Sequence, residues 1–559
     1  MRKLYGNITG LGAGYIKRLQ RICRRRLPPE VIVTPDLSRT LARLSFDINR
    51  QVGLLINRSG EIETVVVGDH RSILIPELPS TRGQRGRLRG LRCVHTHLKA
   101  EPLSEDDLMD LVFLRLDLMA VLEVDENGGA RRLLGAHLLP ENLNGKGWLL
   151  LDPLPAHEQR LDFLQLVQSL ESEFVRKQSL VEVGSNQDRA ILVSVTSGAR
   201  AEAEASMTEL AELARSSDIA VADRIIQRQQ KVNPKFLMGR GKLSELVLRA
   251  LQLGVDLLVF DQDLNPSQVR SITDFTELRI IDRTQLILDI FAQRAKSREG
   301  KIQVEMAQLK YMLPRLVVKD DALSRLTGGI GGRGPGETKL EINRRRVRDR
   351  ITRLENQLVQ IRKQRGQQRG LRLRTGLPII SIVGYTNAGK STLLNGLTNS
   401  RVVVEDQLFA TLDPASRRLR FPRDQEAIIT DTVGFIRDLP TDLMEAFGAT
   451  LEELQHADLL LHVIDVSNRM FEEQMHAVET LLQKLDLHLL AMLRVFNKVD
   501  LLDDGEYVQN ICRLHQAIPV SALNLETLRP LVEAMETRLY LNPKSSWSQG
   551  DGLHADQVR

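Results

Sequence analysis

The hydrophobic pattern divides the chain into segments of different periodicity. Across residues 40–125, short apolar runs alternate with helical patterns, which predicts a first α/β unit. Within it, the apolar runs at 51–57 and 61–67 flank Arg58-Ser59-Gly60 and predict a β-hairpin. The stretch around residues 140–185 is polar and rich in proline, and no strand or helix is predicted there.

A second alternating series begins at residue 191. Its strand-like runs are residues 191–195, 219–226, 256–261 and 279–282, and its helical patterns are residues 203–215, 242–253 and 284–295. Strands that alternate with helices are typical of a parallel sheet, because each crossover helix returns the chain to the same edge. We therefore predict a small parallel α/β domain here.

From residue 299 onward, apolar residues follow a helical period in two segments. The spacing is 4-3-4-3 in both: Ile302, Met306, Leu309, Leu313 and Leu316 in the first, and Val347, Ile351, Leu354, Leu358 and Ile361 in the second. Two helices with one apolar face each bury one another most simply as an antiparallel pair. Pro314 is expected to kink or end the first helix, because proline lacks the backbone N–H that a helix uses.

The segment that joins these two predicted helices is rich in glycine. Residues 326–339 read LTGGIGGRGPGETK, with glycine at positions 328, 329, 331, 332, 334 and 336. Connections between bundle helices usually need about 2–8 residues. We predict a functional loop at the tip of the hairpin; an ordinary connector is the alternative.

Composition is that of a globular protein, with 42% hydrophobic and 27% charged residues among 559. The three cysteines, Cys23, Cys93 and Cys512, are far apart in sequence, which favours a reducing compartment. No uncharged apolar run approaches the ~18 residues that a transmembrane helix needs. We expect a soluble cytoplasmic monomer with no transmembrane segment, and peripheral membrane contact stays open.

The net charge is only +5, yet the basic residues are concentrated in three stretches. Residues 1–29 carry eight basic side chains and no acid, residues 81–92 carry five and no acid, and residues 344–374 carry twelve. Such runs favour a polyanion partner, although solvated helix faces are the alternative. Aromatic residues, at 4%, are too sparse for base stacking, which favours folded RNA. The first basic stretch is an arm of the mature protein or a transit peptide.

A phosphate-binding motif follows the apolar run at residues 379–383. Residues 384–391 read GYTNAGKS and lead into a helical pattern, which is GxxxxGK[ST] in its strand–loop–helix setting. Backbone N–H groups of such a loop surround phosphate oxygens, while Lys390 is predicted to reach the β and γ oxygens and Ser391 to ligate Mg²⁺. The predicted nucleotide-binding residues of this loop are Gly384, Tyr385, Thr386, Asn387, Ala388, Gly389, Lys390, Ser391 and Thr392.

Two further segments are expected to respond to the γ-phosphate. The sequence Asp431-Thr432-Val433-Gly434 follows a strand-like run, so Asp431 can hold Mg²⁺ and the Gly434 N–H can sense the γ-phosphate. Thr411 is predicted to close on Mg²⁺, which gives Ser391, Thr411 and Asp431 as metal residues. The predicted catalytic residues are Lys390, Thr411 and Gly434.

The base is expected to be guanine. In Asn497-Lys498-Val499-Asp500, the Asp500 carboxylate can accept two hydrogen bonds from guanine N1 and N2, which adenine does not offer. The segment Ser521-Ala522-Leu523 is predicted to complete this site, with the Ala522 N–H meeting guanine O6. GTP and GDP are therefore the predicted ligands. Phe435 follows the DxxG glycine where a Gln would orient water, so slow intrinsic hydrolysis and stimulation by a partner are expected.

These patterns predict an α/β chain in five parts. Residues 1–185 form an additional α/β domain with a basic arm and linker, 186–298 the parallel α/β subdomain, and 299–376 the helical hairpin with its basic linker. Residues 377–541 form a P-loop GTPase domain, and 542–559 a polar tail.

Over residues 186–541 the chain resembles the HflX family of GTPases. The resemblance rests on the nucleotide motifs and on NPKFLMGRGK (233–242), DQDLNPSQ (261–268), IDRTQLILDIFAQRA (281–295), QVEMAQLKYMLPRL (303–316) and LSRLTGGIGGRGPGETKLE (323–341). It implies a GTPase that binds the large ribosomal subunit and its RNA, splits stalled or idle ribosomes, and directs the glycine-rich loop toward the peptidyl-transferase RNA. It also implies that Phe435 is a family trait and that ribosomes stimulate turnover.

The first 180 or so residues are additional to the common HflX pattern and carry a different signal. His95-Thr96-His97, followed by Ser104 and Asp107, is similar to the JAMM pattern HxH…SxxD, in which two imidazoles and an aspartate hold zinc. The gap before Ser104 is one residue short, and the position of the general-base glutamate falls near Gln51. This favours an inactive JAMM-like domain over a peptidase; an unrelated α/β fold stays open.

Two other functions stay open from the sequence. One is an RNA-binding scaffold in which the nucleotide is structural, and the other is the metal-dependent peptidase at the N-terminus.

Overall fold

The computed structural model of the chain forms two compact units. The first contains the residues up to Thr208 together with Asp218–Asp282, and the second contains Glu209–Ser217 together with the residues from Arg283 onward. The structure describes residues 3–76, 78, 87–143, 146–157, 161–179, 187–255, 257–276, 278–316, 339–373, 376–398, 408–409, 415–437 and 454–541.

The first unit begins with a mixed sheet of eight strands in the order β1-β3-β2-β4-β5-β6-β7, with β8 paired to β6. The strands are β1 (Lys3–Gly6), β2 (Val52–Asn57), β3 (Ile62–Val67), β4 (Leu91–His97), β5 (Leu118–Val124), β6 (Ala130–Leu143), β7 (Lys146–Leu150) and β8 (Leu154–Pro155). Its helices are α1 (Ala13–Ile22), α2 (Pro35–Ile48), α3 (Glu105–Phe113) and α4 (Phe163–Ser179).

The predicted hairpin is confirmed, because β2 and β3 pair antiparallel. Gly60 in its turn has φ +81°, and a Cβ there would lie 1.9 Å from the carbonyl oxygen of Leu27. Only glycine fits this close approach in the left-handed region.

No strand or helix was predicted in the polar, proline-rich stretch around residues 140–185. That stretch contains β7, β8 and the 17-residue helix α4. The buried residues of α4 are Phe163, Val167, Leu170 and Phe174, whose 4-3-4 spacing is that of a helix with one apolar face. The signal was present but was outweighed by the flanking polar residues.

The second sheet of this unit is parallel, as predicted, with strand order β10-β9-β11-β12. Its strands are β9 (Asp188–Thr196), β10 (Ile219–Arg228), β11 (Leu257–Phe260) and β12 (Arg279–Asp282), and its helices are α5 (Arg200–Ser216), α6 (Arg240–Leu253) and α7 (Pro266–Thr276). Six consecutive buried residues in β9 are typical of a central parallel strand that is covered on both faces.

The two sheets of the first unit share one hydrophobic core. Residues of α3, such as Phe113, and Phe174 of α4 belong to the same buried cluster as Leu243 and Leu246 of α6. The amide of Gln252 also donates to the carbonyl of Leu139 at 3.1 Å. The boundary that we predicted near residue 185 therefore separates two sheets but not two cores.

The second unit contains the predicted pair of long helices. Its first helices are α8 (Arg283–Arg294), α9 (Arg298–Leu316) and α10 (Lys339–Leu373). The α9 and α10 helices pack along the predicted apolar faces, with Leu354 fully buried against Ile302 and Met306. Pro314 lies inside α9. The glycine-rich residues 328–336 lie outside the described residues.

The rest of the second unit is a six-stranded sheet in the order β14-β15-β13-β16-β17-β18. The strands are β13 (Ile379–Gly384), β14 (Ala415–Arg420), β15 (Glu426–Asp431), β16 (Leu459–Asp465), β17 (Met492–Asn497) and β18 (Ala517–Pro519). The helices are α11 (Lys390–Thr398), α12 (Phe471–Lys484), α13 (Gly505–His515) and α14 (Arg529–Glu536), and Val499–Leu501, Leu525–Leu528 and Thr537–Leu541 form short helical turns.

All strands of this sheet except β14 are parallel, so their carboxyl ends meet at one edge. Ligands of open α/β sheets bind at this edge. The predicted nucleotide segments follow β13, β15, β17 and β18. Among the helices that the structure describes, none is long and apolar enough to cross a membrane.

Candidate nucleotide-binding site

Two glycines determine the backbone path of the loop between β13 and α11. Gly384, with φ +152°, would place a Cβ 2.2 Å from the carbonyl oxygen of Val463. At Gly389, with φ +88°, a Cβ would lie 2.3 Å from Nδ2 of Asn497. The two glycines of the motif are therefore required by close approach to neighbouring strands, and they allow the loop N–H groups to turn inward.

Lys390 is the first residue of α11 and is buried beneath this loop. Its Nζ donates to the carbonyl oxygen of Tyr385 at 2.7 Å. Burial lowers the pKa of Lys390 to about 8, against the opposing effect of the Asp431 carboxylate. A phosphate beside this ammonium would supply the negative charge that favours its protonated form.

Ser391 and Asp431 meet at the end of β15. The Ser391 hydroxyl donates to Oδ2 of Asp431 at 2.6 Å, and Asp431 is fully buried. A hydroxyl and a carboxylate are the hard oxygen donors that Mg²⁺ prefers, so this pair fits the predicted metal site. The third predicted metal residue, Thr411, lies outside the described residues.

The segment after β15 is hydrogen-bonded directly to the phosphate-binding loop. The N–H of Thr386 donates to the carbonyl of Phe435 at 2.7 Å, and the Phe435 N–H donates to the carbonyl of Gly384 at 3.1 Å. A Cβ on Gly434 would lie 2.9 Å from Nζ of Lys390, so the Gly434 backbone reaches the predicted γ-phosphate position. The Thr432 hydroxyl donates to the carbonyl of Ile382, a contact that joins β15 to β13.

Asn497, at the end of β17, ties the loops of the site together. Its Nδ2 donates to the carbonyl of Ala388 at 2.8 Å, and its Oδ1 accepts from the N–H of Ala522 at 2.9 Å. This amide therefore positions both the phosphate-binding loop and the segment predicted to meet guanine O6. Its structural role follows from contacts between distant segments, which the local motif does not reveal.

The other residues of the predicted base site differ in exposure. Lys498 has φ +64° and its Nζ lies 2.7 Å from Oδ2 of Asp465. Asp500 is exposed, in the short helical turn that follows β17. Ser521 is buried, and its N–H donates to the hydroxyl of Thr527 at 2.9 Å.

The remaining predicted residues line the same edge with different exposures. Val433 is buried, whereas Asn387 and Leu523 are exposed and Thr392 is half-buried.

Phe435 is buried, at 4% exposure. A buried phenyl ring has no group that can orient an attacking water. Slow intrinsic hydrolysis stays a prediction.

The Tyr385 side chain has partners that the sequence did not predict. The loop motif gave Tyr385 only a role in nucleotide binding. Its hydroxyl donates to Oε1 of Glu209 at 2.9 Å and accepts from the N–H of Arg437 at 2.7 Å. Glu209, in the part of α5 that belongs to the second unit, also pairs with Arg283 at 2.9 Å. Burial, and then the Glu209 carboxylate, raise the pKa of Tyr385. No local motif could have predicted this partner.

The segment just before Thr411 contacts the same helices. The N–H of Leu408 donates to the Ser216 hydroxyl of α5 at 3.1 Å. The rings of Phe409 and Phe291 of α8 pack edge to face, with centroids 4.5 Å apart. The segment after the DxxG motif therefore reaches Glu209 of α5 through Tyr385, and Glu209 pairs with Arg283, the first residue of α8. The segment before Thr411 contacts both α5 and α8 directly.

Family models match three consecutive segments between residues 204 and 498. The model described as "GTP-binding GTPase N-terminal" matches residues 204–292, "GTP-binding GTPase Middle Region" matches 294–372, and "50S ribosome-binding GTPase" matches 379–498.

Curated relatives give the same result. The chain is 47% identical over 359 residues to GTPase HflX of Caldanaerobacter subterraneus subsp. tengcongensis, which is 64% of this chain and 82% of the relative. It is 47% identical over 300 residues to GTPase HflX of Escherichia coli K12, which is 54% of this chain and 70% of the relative. A GTP-binding protein from Sulfolobus solfataricus, solved with GDP, is 25% identical and covers 63% of this chain and all of its own, at a TM-score of 0.36.

Proposed function

The chain belongs to the HflX family of GTPases, and we propose that it binds the large ribosomal subunit and splits or recycles stalled or idle ribosomes, with GTP as the switch. The chain binds GTP and is a GTP hydrolase, as its family and its GTPase domain establish. The ribosomal partner, its RNA and the splitting reaction are the proposal. We also propose that the protein acts as a cytoplasmic monomer.

The proposed switch mechanism rests on one observation: the loops predicted to face the γ-phosphate are hydrogen-bonded to α5. Tyr385 connects the phosphate-binding loop to Glu209 and to the backbone of Arg437. Leu408 connects the segment before Thr411 to Ser216. A γ-phosphate that moves either loop must alter these contacts, so the nucleotide state can bias the position of α5 and α8.

A second observation supports a ribosomal partner. The α10 helix exposes a row of arginines, including Arg346, Arg348 and Arg353, beside the apolar face that it buries against α9. Exposed guanidinium groups on a rigid helix suit the phosphates of a folded RNA. The family model that matches the GTPase domain is described as ribosome-binding, which fits the same partner.

The residues of the site have distinct roles in binding the phosphates, Mg²⁺ and the guanine base. The loop N–H groups and Lys390 bind the β- and γ-phosphates and withdraw charge from the oxygen that leaves. Ser391 and Asp431 would hold Mg²⁺, which neutralises charge between these phosphates when it is bound. The Asp500 carboxylate accepts from guanine. The Ala522 N–H donates to Oδ1 of Asn497 in the structure and would have to exchange that bond to donate to guanine O6.

Hydrolysis requires a group that orients water, and Phe435, the described residue next to Gly434, does not supply one. Phe435 cannot orient water, so in this proposal the ribosome orders the loop that does, and turnover is slow without it. This links hydrolysis to the bound state, because the GTP form persists until the ribosome is engaged.

Sucrose gradients of intact ribosomes test the proposal. The protein with GTP or a non-hydrolysable analogue should convert 70S particles to subunits, whereas GDP should not, and the Lys390→Ala variant should be inactive. Lys484→Ala, at the exposed end of α12, is the matched control and should behave as wild type. Undiminished splitting with GDP would contradict GTP as the switch, and intact 70S peaks in every nucleotide state would contradict splitting.

A further inference from the structure

Two histidines and an aspartate converge in the first unit, far in sequence from the nucleotide motifs. His95 and His97 occupy alternate positions of β4, so their side chains leave the same face of the sheet. Asp107 lies in the first turn of α3. The two Nε2 atoms are 3.1 Å apart, Oδ1 of Asp107 is 3.1 Å from Nε2 of His95, and Oδ2 is 3.5 Å from Nε2 of His97.

The carboxylate of this cluster is held in place by the start of α3. Asp107 accepts from the N–H and the hydroxyl of Ser104 at 2.7 and 2.8 Å, while the Ser104 hydroxyl accepts from the Asp107 N–H. This reciprocal capping box fixes the aspartate relative to the helix axis. The carboxylate orientation is therefore set before any ligand arrives.

The tautomer of His97 is also set by a backbone contact. Its Nδ1 lies 3.2 Å from the carbonyl oxygen of Glu101, which can only accept a hydrogen bond. Nδ1 therefore carries a proton, and in the neutral imidazole Nε2 presents a lone pair to the cluster. A histidine that donates its outer nitrogen to a carbonyl in this way is typical of metal ligands.

The donor spacing is that of a tetrahedral metal site. Ligand atoms at the ~2.0–2.1 Å that zinc prefers lie about 3.3 Å from one another. The two Nε2 atoms are 3.1 Å apart, and one carboxylate oxygen of Asp107 lies near each of them, at 3.1 Å for His95 and 3.5 Å for His97. All three side chains are buried, with exposures of 0% for His95, 5% for His97 and 8% for Asp107. Three converging ionisable groups in a core are costly to bury unless they bind one another or a cation.

We propose that His95, His97 and Asp107 bind a divalent transition-metal ion of the zinc class. Two imidazole nitrogens and one carboxylate oxygen are the donor set that zinc accepts, and three protein ligands leave a position for water or an external ligand. The ion fixes α3 against β4, and α3 packs into the core that the two sheets share. Metal binding therefore stabilises the first unit and is independent of GTP.

The site binds metal without peptidase activity. Gly53 of β2 pairs antiparallel with His95, and the same register continued by two residues places Gln51 opposite His97. The Gln51 amide donates to the carbonyl of Arg71 at 2.9 Å and cannot accept a proton from a metal-bound water. The strand position facing the metal ligands therefore lacks a general base.

The test uses the full-length chain, stripped with a chelator and titrated with Zn²⁺ alone and then Co²⁺ alone. We expect about one ion per chain by mass spectrometry of the desalted protein, and a visible Co²⁺ absorption typical of tetrahedral coordination. His97→Ala and Asp107→Asn should each weaken Zn²⁺ binding by more than about tenfold. His137→Ala, a buried histidine of β6 outside the cluster, is the matched control and should keep wild-type affinity.

The wild-type titration decides the proposal even if the variants fold poorly, which circular dichroism would reveal. An apparent Zn²⁺ dissociation constant of about 10 μM or weaker in the wild type would overturn it. Equal Zn²⁺ uptake by a folded His97→Ala variant would overturn it too. A rise in melting temperature with Zn²⁺ that is lost in Asp107→Asn would support it, because only the folded state offers the assembled site.

Discussion

The hydroxyl of Tyr385 lies 2.9 Å from Oε1 of Glu209, so the phosphate-binding loop is hydrogen-bonded to a helix residue 176 positions earlier in the chain. The same oxygen accepts from the N–H of Arg437, three residues after the DxxG glycine. One phenol thus joins three segments of the second unit. This is the contact through which we expect the nucleotide state to be transmitted.

Tyr385→Phe should leave GTP binding nearly unchanged but reduce the effect of the nucleotide on ribosome binding. Without the hydroxyl, Glu209 keeps its contact with Arg283 but loses Tyr385, and the Arg437 N–H loses this acceptor, so the free energy of unfolding should fall by about 1–3 kcal/mol. GTP affinity by calorimetry should change by less than about threefold, while the ratio of ribosome affinities in GTP and GDP falls on the order of tenfold. Tyr507→Phe, an exposed tyrosine of α13, is the control. An unchanged ratio would remove this contact from the switch.

Asp500→Asn should change the base that is bound. The amide offers a donor where guanine N1 and N2 need an acceptor, whereas xanthine presents a carbonyl there, so GTP affinity should fall by about a hundredfold or more and xanthosine triphosphate should be preferred. Competition binding measures both. Asp503→Asn, an exposed neighbour, should leave the preference unchanged. Retained guanine selectivity in the variant would place base recognition elsewhere.

His462 should make the stability of the second unit depend on pH. It lies in β16, fully buried, and burial, with the charges of Arg494 and Lys390, lowers its pKa from 6.5 to about 3. The unfolded chain therefore binds the extra proton between these two values, and stability is retained above pH 6.5 and lost as the pH falls. The loss is about 1.4 kcal/mol per pH unit in that window.

Urea unfolding at several pH values checks this slope. His462→Gln should flatten the pH dependence between about pH 6.5 and 4 relative to wild type. His488→Gln, an exposed histidine, should not. Identical slopes in wild type and His462→Gln would refute the assignment.

Deletion of residues 328–336 should separate GTP binding from any ribosome effect. The glycines lie between α9 and α10, in a segment without a predicted role at the nucleotide site. GTP affinity should stay within about twofold of wild type, because none of the predicted nucleotide-binding residues lies in the deleted segment, while ribosome splitting is lost. Replacement of residues 328–336 by a Gly-Ser segment of the same length controls for spacing. Full splitting by the deletion variant would exclude the loop from the mechanism.

The nucleotide site was largely predictable because its residues follow strands in short motifs. Glycines, Lys390 and Ser391 occur within eight positions, and the parallel strand order brings the later motifs to the same edge. The packing of α9 on α10 was predictable for a similar reason, since the 4-3-4-3 spacing states which face is buried.

Contacts between distant segments were not predictable. The link from Tyr385 to Glu209, the bridge that Asn497 forms between Ala388 and Ala522, and the core shared by α3 and α6 all depend on tertiary placement. Local spacing predicts which face a residue occupies but not which helix will cover it. The cluster of Asp107 with the two histidines of β4 was predictable in part. The residue pattern suggested that these side chains meet, and the distances between their atoms come from the fold.

The affinity of the purified protein for 50S subunits, measured by sedimentation with a non-hydrolysable GTP analogue and with GDP, tests the central claim most directly. The account predicts binding that is at least about tenfold tighter with the analogue, and loss of that difference in Lys390→Ala. Equal affinity in the two nucleotide states, with both nucleotides bound, would contradict it.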